Sequence, residues 1–160
     1  GKTTTTYILK SILESWGKEV GLIGTIHYII KDKAYPAPFT TPESLEFHGL
    51  LKDMVSSGCT HVISEVSSHA LEQHRVDGAV FKVAVFTNLT RDHLDFHKNM
   101  ENYFRAKERL FRELLDKDGT CVINMDDPYG KRLTSELGSA SGGQDLETRK
   151  MLTYGIEDGA

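Results

Sequence analysis

The chain has 160 residues, of which 39% are hydrophobic, and carries a formal net charge of −4 from 19 Lys and Arg and 23 Asp and Glu. This length can bury one sizeable core, so the sequence predicts a single domain or a piece of one. The charges form no basic tract, which excludes a nucleic-acid-binding surface and a polybasic membrane patch. No apolar run approaches the ~20 residues of a membrane span, and Cys59 and Cys121 are too far apart for a C-x-x-C zinc site, which favours a soluble, cytoplasmic protein.

The chain opens with Gly1-Lys2-Thr3-Thr4 and passes directly into a helical pattern that ends at Gly17. Gly-Lys-Thr before a helix is the second half of the phosphate-binding loop G-x-x-x-x-G-K-[ST], in which Lys2 would contact the β- and γ-phosphates and Thr3 a Mg²⁺. An ordinary helix start explains the tripeptide equally well. The apolar residues of this helix predict an inward face of Ile8, Leu9, Ile12, Leu13 and Trp16.

A short strand is predicted at 20–24, and the segment around Lys31-Asp-Lys33 is predicted to be a hairpin or another excursion of the chain. In Thr40-Thr41-Pro42, Thr41 is a candidate N-cap and Pro42 a suitable first residue for a helix that Gly58 ends. The hydroxyl of Thr40 adds a second polar group at the N-terminus of this helix, where the helix dipole favours anions. This helix is predicted to bury Leu45, Leu50, Leu51 and Met54.

The remaining strands are predicted at 61–65, 83–88, 120–124 and 151–154, separated by helices and by a loop at 139–143. Strands that alternate with helices indicate βαβ crossovers, so the fold class is α/β with a mostly parallel sheet flanked by helices. Ligands of such sheets bind beyond the carboxyl ends of the strands. Polar clusters follow three of these ends, at Glu65-Val-Ser67-Ser68-His69, Thr87-Asn88-Leu-Thr-Arg-Asp92-His93 and Asn124-Met-Asp126-Asp127.

Together with Lys2 and Thr3, these clusters predict a site for a nucleotide with metal ions. Each has a simpler interpretation: Glu65 as a solvated strand end, Asp92 as a helix cap, and Asp126-Asp127 before Pro128 as a helix N-terminus. His93 and His97 are spaced for one helical face but lack the central Glu of the zinc-protease motif. Arg75 is either a surface charge or a bidentate ligand for carboxylate or phosphate.

A helix predicted at 100–115 carries a lysine in its apolar arc. Tyr103, Phe104 and Leu114 belong to that arc, while Arg105, Glu108 and Arg112 belong to the polar one. Lys107 falls within the apolar arc, where an unpaired ammonium costs several kcal/mol. It therefore needs an ion pair, with Glu65 or Asp92 as candidates, or conversion by CO₂ into a carbamate that could bind Mg²⁺.

Several motifs together resemble the central domain of the Mur ligase family. In order they are Gly1-Lys-Thr-Thr-Thr5, Thr40-Thr41-Pro42, Glu65-Val-Ser-Ser-His-Ala-Leu71, Gln73-His-Arg75, Phe86-Thr-Asn-Leu-Thr-Arg-Asp-His-Leu-Asp95, Ala106-Lys107 and Asn124-Met-Asp-Asp-Pro128. The match spans nearly the whole chain. The Glu-Val-Ser-Ser-His and Gln-His-Arg segments are most similar to the UDP-N-acetylmuramoyl-tripeptide synthetase branch.

The resemblance implies a P-loop NTPase-like fold and an ATP-dependent amide ligase of peptidoglycan precursor synthesis. Such a ligase adds a diamino acid to UDP-MurNAc-L-Ala-D-Glu through an acyl phosphate. The resemblance also implies that residues 1–160 are the central ATP-binding domain of a monomeric enzyme. This domain would lack the first half of the phosphate loop, the N-terminal uridine-binding domain and the C-terminal amino-acid-binding domain, so the fragment alone is expected not to catalyse ligation.

Site roles follow from the resemblance position by position. Gly1, Lys2, Thr3 and Thr4 would hold the phosphates of ATP, and Asn88 would lie near the nucleotide. Thr3, Glu65, His93 and a carbamylated Lys107 would bind Mg²⁺, with Lys2, His93 and Lys107 serving catalysis. Thr40, Thr41, Ser67, Gln73 and Arg75 would contact the UDP-MurNAc-dipeptide.

Three other functions are alternatives to a ligase of this branch. Another amide ligase of the superfamily is disfavoured by the Ser-Ser-His-Ala-Leu and Gln-His-Arg segments. A non-catalytic nucleotide-binding module would keep the fold without the chemistry. A P-loop GTPase or a kinase would require a guanine-specifying or kinase signature, which the sequence lacks.

Overall fold

The structure, a computed structural model, describes residues 1–139 and 149–156. Its contacts divide the chain into two compact units, Gly1–Asp77 and Gly78–Ala160. Within the described residues, no helix is both long enough and apolar enough to cross a bilayer.

The first unit consists of three helices and a four-stranded sheet. Its elements are α1 (Lys2–Ser15), β1 (Val20–Ile23), β2 (His27–Ile30), β3 (Lys33–Pro36), α2 (Ser44–Ser56), β4 (His61–Ser64) and α3 (Ser68–Glu72). The strand order is β3-β2-β1-β4, in which β1 and β4 are parallel. The predicted hairpin is confirmed, because β2 pairs antiparallel with β3. All four residues of β1 are buried, so this strand forms the centre of the sheet.

Helix α1 is rotated relative to the prediction from its apolar pattern. Ile12 is 58% exposed and Trp16 70% exposed, and Ile8 and Leu9 are exposed too, so the predicted inward face is wrong except at Leu13. The less exposed face is instead the row Thr3, Thr6, Tyr7, Lys10 and Leu13. Polar contacts explain the rotation, since the Thr3 hydroxyl bonds to Glu65 and the Tyr7 hydroxyl lies 3.1 Å from Nδ1 of His27. The end of the helix is as predicted, with Gly17 at φ 76°.

Helix α2 begins two residues later than predicted. Its N-cap is Glu43 rather than Thr41, because the Thr41 hydroxyl is already committed to the backbone after β4. The helix buries Phe47 and Met54 and leaves Leu45 90% exposed, so the predicted burial of Leu45 is wrong. Gly58 follows the helix with φ 84°, which confirms the predicted stop.

The second unit contains a three-stranded parallel sheet, in the order β5-β6-β7. Its elements are β5 (Phe81–Phe86), α4 (Leu94–His97), α5 (Met100–Arg109), a π-helical turn (Leu110–Leu114), β6 (Leu115–Asn124), α6 (Pro128–Gly138) and β7 (Lys150–Tyr154). Phe86, Phe104, Phe111, Ile123 and Leu133 belong to the core between the sheet and its helices. The parallel pairing confirms the predicted fold class. Of the loop predicted at 139–143, residues 140–143 lie outside the described residues.

The helix predicted at 100–115 is shorter in the structure. Its last turn is the π-helical turn that ends at Leu114, and Leu115 already belongs to β6. Arg149 contributes to this ending. Its guanidinium donates to the backbone oxygens of Phe111, Arg112, Leu115 and Asp116. One side chain thus binds carbonyl groups of the last helical turn and of the first two residues of β6.

Glu108, predicted on the polar arc with Arg105 and Arg112, is only 4% exposed. Two guanidinium groups compensate its charge: Arg105 Nη1 lies 2.6 Å from Oε2 and Arg112 Nε 2.6 Å from Oε1. Arg105 also contacts Glu136 on α6, and Arg132 on α6 contacts Glu101 on α5. An ion network therefore joins the two helices.

Gly130 gives a test of how closely α6 packs on β6. A Cβ built at Gly130 would lie 1.9 Å from the backbone oxygen of Asn124, whereas one at Gly138 on the same helix meets nothing within 4 Å. We expect Gly130→Ala to lower the free energy of unfolding by about 1–3 kcal/mol or more, because the backbones must separate. Gly138→Ala is the control and should be neutral or stabilise by up to about 1 kcal/mol. Urea unfolding measures both, and equal stabilities for the two variants would contradict the close approach.

The ion network predicts a loss of stability in acid. The hydrogen bond from Arg132, helped by Arg105, lowers the pKa of Glu101 from 4.5 to about 2. The pKa of Glu136 is also lowered, chiefly by its hydrogen bond with Arg132. A lowered folded-state pKa stabilises the fold above the unfolded-state value, so stability should fall as the pH drops from about 4.5 to about 2.

We expect Arg132→Gln to flatten this pH dependence and to return the pKa of Glu101 towards 4.5. Lys131→Gln, which removes the same charge from the neighbouring position, is the control. Urea midpoints across the acid range, with a carbon NMR titration of the Glu101 carboxyl group, measure the effect. An unchanged Glu101 titration in Arg132→Gln would show that the contact does not set this pKa.

Candidate functional site

Glu65 is a buried carboxylate at the carboxyl end of β4. Its exposed fraction is 2%, so the interpretation of a solvated strand end is wrong. Oε1 accepts from the backbone N–H of Thr25 at 3.0 Å, and Oε2 accepts from the hydroxyls of Thr3 at 2.9 Å and Thr25 at 3.0 Å. These three donors are electrically neutral. Three neutral donors leave part of the acceptor capacity of the two oxygens unused, which suits a site that receives a cation.

Gly24 and Thr25 are site residues that sequence reasoning missed. A Cβ built at Gly24 would lie 2.7 Å from Glu65 Oε1, so glycine is what lets the backbone come this close. Both residues directly follow β1, which runs parallel to β4. The rule that ligands bind beyond the carboxyl ends of parallel strands could have found them, had it been applied to the first strand.

Thr40 and Thr41 both connect to Glu65. Thr25 Oγ1 lies 3.1 Å from Thr40 Oγ1 and 3.0 Å from Glu65 Oε2. Because a hydroxyl has one proton and an ionised carboxylate has none to give, Thr25 donates to Glu65 and Thr40 donates to Thr25. The Thr41 hydroxyl, buried, donates to the backbone oxygen of Glu65 at 2.8 Å.

The residues predicted to bind the acid substrate gather around Thr41. Its hydroxyl accepts from the N–H of Ser67 at 3.0 Å, and its backbone oxygen accepts from Arg75 Nη1 at 3.1 Å. Arg75 also donates to Gln73 Oε1 at 2.9 Å and forms a 2.8 Å ion pair with Glu43. The Arg75 side chain is only 16% exposed, so it is more than a surface charge.

The N-terminus of α1 presents the predicted phosphate-binding residues. Gly1 is the N-cap position and makes no side-chain cap, so the first turn offers its backbone N–H groups to solvent or to a ligand. Lys2 and Thr4 are exposed there, and Thr3 is half-buried because it reaches Glu65. This end of a 14-residue helix can hold phosphate oxygens.

In the second unit, Asn88 lies on a loop that two contacts hold in place. Leu89 N–H donates to Asp127 Oδ2 at 2.9 Å, and Asn124 Nδ2 donates to the Thr87 oxygen at 2.9 Å. Asp127 also accepts from the first N–H groups of α6, which confirms the simpler interpretation of a helix N-terminus at Asp127. Asn88 itself is exposed.

His93, His97 and Lys107 surround the ring of Tyr103. The His97 ring stacks on it with centroids 4.9 Å apart, and the His93 ring meets it edge-on at 6.1 Å. Lys107 Nζ lies 5.2 Å from the ring centroid, a cation–π distance, and the residue is half-buried. Asp92 does not cap α4 as predicted, because the N-cap is His93, whose N–H donates to Asp92.

The donors in the first unit fit a Mg²⁺ ion. Mg²⁺ prefers oxygen ligands, and it is commonly held by one or two carboxylates together with substrate phosphates. Glu65 and the Thr3 hydroxyl supply such oxygens beside a helix end suited to phosphates. Over residues 1–139 and 149–156, no three His, Cys, Asp or Glu side chains are grouped so that they could hold a metal ion. The other predicted metal ligands, His93 and Lys107, belong to the second unit.

Similarity to known proteins extends over the whole chain. The model of the Mur ligase middle domain matches residues 1–160. A UDP-N-acetylmuramoyl-L-alanyl-D-glutamate–2,6-diaminopimelate ligase of Geobacter metallireducens is 55% identical over 141 residues, covering 85% of this chain and 28% of its own length. The ligase of the same name from Clostridium tetani is 53% identical over 157 residues, covering 98% of this chain and 30% of its own length.

A solved structure of a UDP-N-acetylmuramoyl-L-alanyl-D-glutamate–2,6-diaminopimelate ligase superimposes with a TM-score of 0.82 at 32% identity. It covers 99% of this chain, which spans 31% of the solved one. The chain thus corresponds to less than a third of the relatives it matches here. Because the family model matches the chain from end to end, the resemblance seen in the sequence is confirmed, and the chain belongs to the Mur ligase middle domain family.

Proposed function

We propose that this chain is the ATP-binding part of a cytoplasmic, monomeric ligase that adds a diamino acid to UDP-MurNAc-L-Ala-D-Glu. The Geobacter and Clostridium relatives are named as ligases of this acid with 2,6-diaminopimelate. The observation that carries the proposal is the buried Glu65 carboxylate, which the first turn of α1 and the turn after β1 hold through neutral donors.

The first turn of α1 would bind the phosphates of ATP. The backbone N–H groups from Gly1 to Thr4 and the Lys2 ammonium supply positive potential at the exposed helix end. Thr3 and Glu65 would hold Mg²⁺, which neutralises phosphate charge when bound. Asn88, which is exposed on its loop, would lie near the bound nucleotide.

The cluster around Thr41 would bind the acid substrate. Arg75 is already oriented there by Gln73 and by the Thr41 backbone oxygen, and its ion pair with Glu43 involves an acid that is 65% exposed. An anionic group of the substrate would replace that exposed carboxylate and keep the Arg75 guanidinium paired. Thr40, Thr41 and Ser67 add hydroxyl groups to the same cluster.

The reaction requires two anions to approach each other. An oxygen of the substrate carboxylate attacks the γ-phosphorus and ADP leaves, which forms an acyl phosphate. The amine of the diamino acid then attacks the acyl carbon, loses a proton, and phosphate departs as the amide forms. Lys2 and Arg75 would lower the repulsion between the reactants and orient them in line.

His93 and Lys107 are proposed as ligands for a second Mg²⁺. Lys107 would first lose a proton to become a neutral amine, and its addition to CO₂ would release a second proton and leave a carbamate, so that an anion replaces the ammonium. The contact with the Tyr103 ring favours the ammonium form, so the carbamate must give up this contact. An added mass of about 44 Da on the peptide that carries Lys107 would reveal the modification.

Ligase activity is tested with the complete reading frame that contains this chain. We expect amide formation that requires ATP, Mg²⁺ and UDP-MurNAc-L-Ala-D-Glu, with diaminopimelate preferred over lysine, as the relatives' names suggest. Liquid chromatography with mass detection measures the product. Turnover with a different acid would indicate another ligase of the superfamily. Mg²⁺-dependent ATP binding without turnover would indicate a non-catalytic nucleotide-binding module.

Glu65→Gln tests the carboxylate directly. The change keeps the shape of the side chain and removes its charge, so we expect kcat/KM of the complete enzyme to fall about 10–100-fold or more. Glu72→Gln, exposed on α3, is the matched control and should keep its activity. Thermal unfolding of both variants separates a folding defect from a chemical one. Wild-type kcat/KM in a folded Glu65→Gln variant would remove Glu65 from the mechanism.

A further inference from the structure

Thr25 contacts Glu65 twice, through its backbone N–H and through its hydroxyl. The N–H bonds Oε1 at 3.0 Å and the hydroxyl bonds Oε2 at 3.0 Å, so one residue holds both oxygens of the carboxylate. Two donors in fixed positions determine the plane of a carboxylate as well as its location. The remaining described donor, Thr3, is itself proposed as a metal ligand and would turn towards the ion.

Gly24 supports this arrangement through its lack of a side chain. A Cβ there would come 2.7 Å from Oε1, so the turn after β1 lies directly against the carboxylate. Gly24 N–H also donates to the backbone oxygen of His27 at 3.2 Å, which ties the turn to the start of β2. The two donor groups of Thr25 therefore belong to a turn that a backbone hydrogen bond holds in place.

Thr25 also connects Glu65 to the cluster assigned to the acid substrate. Its hydroxyl accepts from Thr40 at 3.1 Å while donating to Glu65, so the three groups form one directed chain. Thr41, the next residue, holds the backbone oxygen of Glu65 at 2.8 Å. Residues 40–41 are thus attached both to the carboxylate, through Thr25, and to the backbone of the same glutamate.

We propose that Thr25 is a positioning residue that fixes the Glu65 carboxylate for metal binding and links its orientation to Thr40. This inference rests on the proposed function, because it assigns Glu65 to a metal ion. Residues that hydrogen-bond to a metal ligand typically account for about 10–100-fold in metal affinity or activity. A purely structural Thr25 would affect thermal unfolding without a specific change in metal affinity.

The test measures Mn²⁺ affinity of the complete enzyme by electron paramagnetic resonance, with a non-hydrolysable ATP analogue and no acid substrate. We expect Thr25→Val, which keeps the N–H and the side-chain shape, to weaken Mn²⁺ binding about 10-fold or more. Thr25→Ser restores the hydroxyl and should recover most of the affinity. Thr60→Val is the control, because its exposed hydroxyl contacts Glu19 and His61 instead, and should bind as the wild type does.

An unchanged affinity in Thr25→Val would overturn the inference, and so would an equal loss in Thr25→Ser or in Thr60→Val. If Thr25→Val does not fold, Thr40→Val tests the same chain of hydroxyls from its outer end. A weaker Mn²⁺ affinity there supports the link, and an unchanged one overturns it.

The ligation assay on the wild type separates this inference from the proposed function. An enzyme that is active as the wild type, but whose Mn²⁺ affinity is unchanged in Thr25→Val, contradicts the inference alone. A wild-type enzyme that neither ligates nor binds Mn²⁺ with nucleotide contradicts the proposed function.

Discussion

The cost of burying the Glu65 carboxylate governs the arrangement of the first unit. A buried charge is tolerated only where its hydrogen bonds are satisfied, and here the donors come from two separate segments, the start of α1 and the turn after β1, while Thr40 before α2 contacts Thr25. Parallel pairing of β1 with β4 places these segments at one end of the sheet. The same constraint explains the rotation of α1, since Thr3 can reach Glu65 only if Ile12 and Trp16 face away.

The regular elements of both units could be predicted because their signals are local. The hairpin of β2 and β3, the glycine stops at Gly17 and Gly58, and the parallel strands β5 to β7 follow from patterns within a few residues. The family motifs likewise single out Glu65, Thr41 and Arg75 from the sequence alone. What those motifs cannot supply is the partner of each residue, which depends on how distant segments meet.

The wrong predictions share that origin. Thr41 has the properties of an N-cap, yet its hydroxyl bonds to the backbone of Glu65 and Ser67, which lie between β4 and α3, later in the chain. Leu115 fits the apolar arc of the preceding helix, but Arg149, from a distant segment, binds the carbonyl groups where that helix ends. Long-range polar partners override local patterns in both cases.

Glu65 and Glu108 show how the partners of a buried acid decide its role. Both side chains are almost fully buried, with exposed fractions of 2% and 4%. Glu108 lies between two guanidinium groups that cancel its charge, so it belongs to the packing of α5 on α6. The described donors of Glu65 are two hydroxyls and one N–H, none of which carries a charge. The proposal of Mg²⁺ at Glu65 rests on this difference, because a buried carboxylate without a cationic partner can take a metal ion, and the helix end proposed to bind phosphates lies beside it.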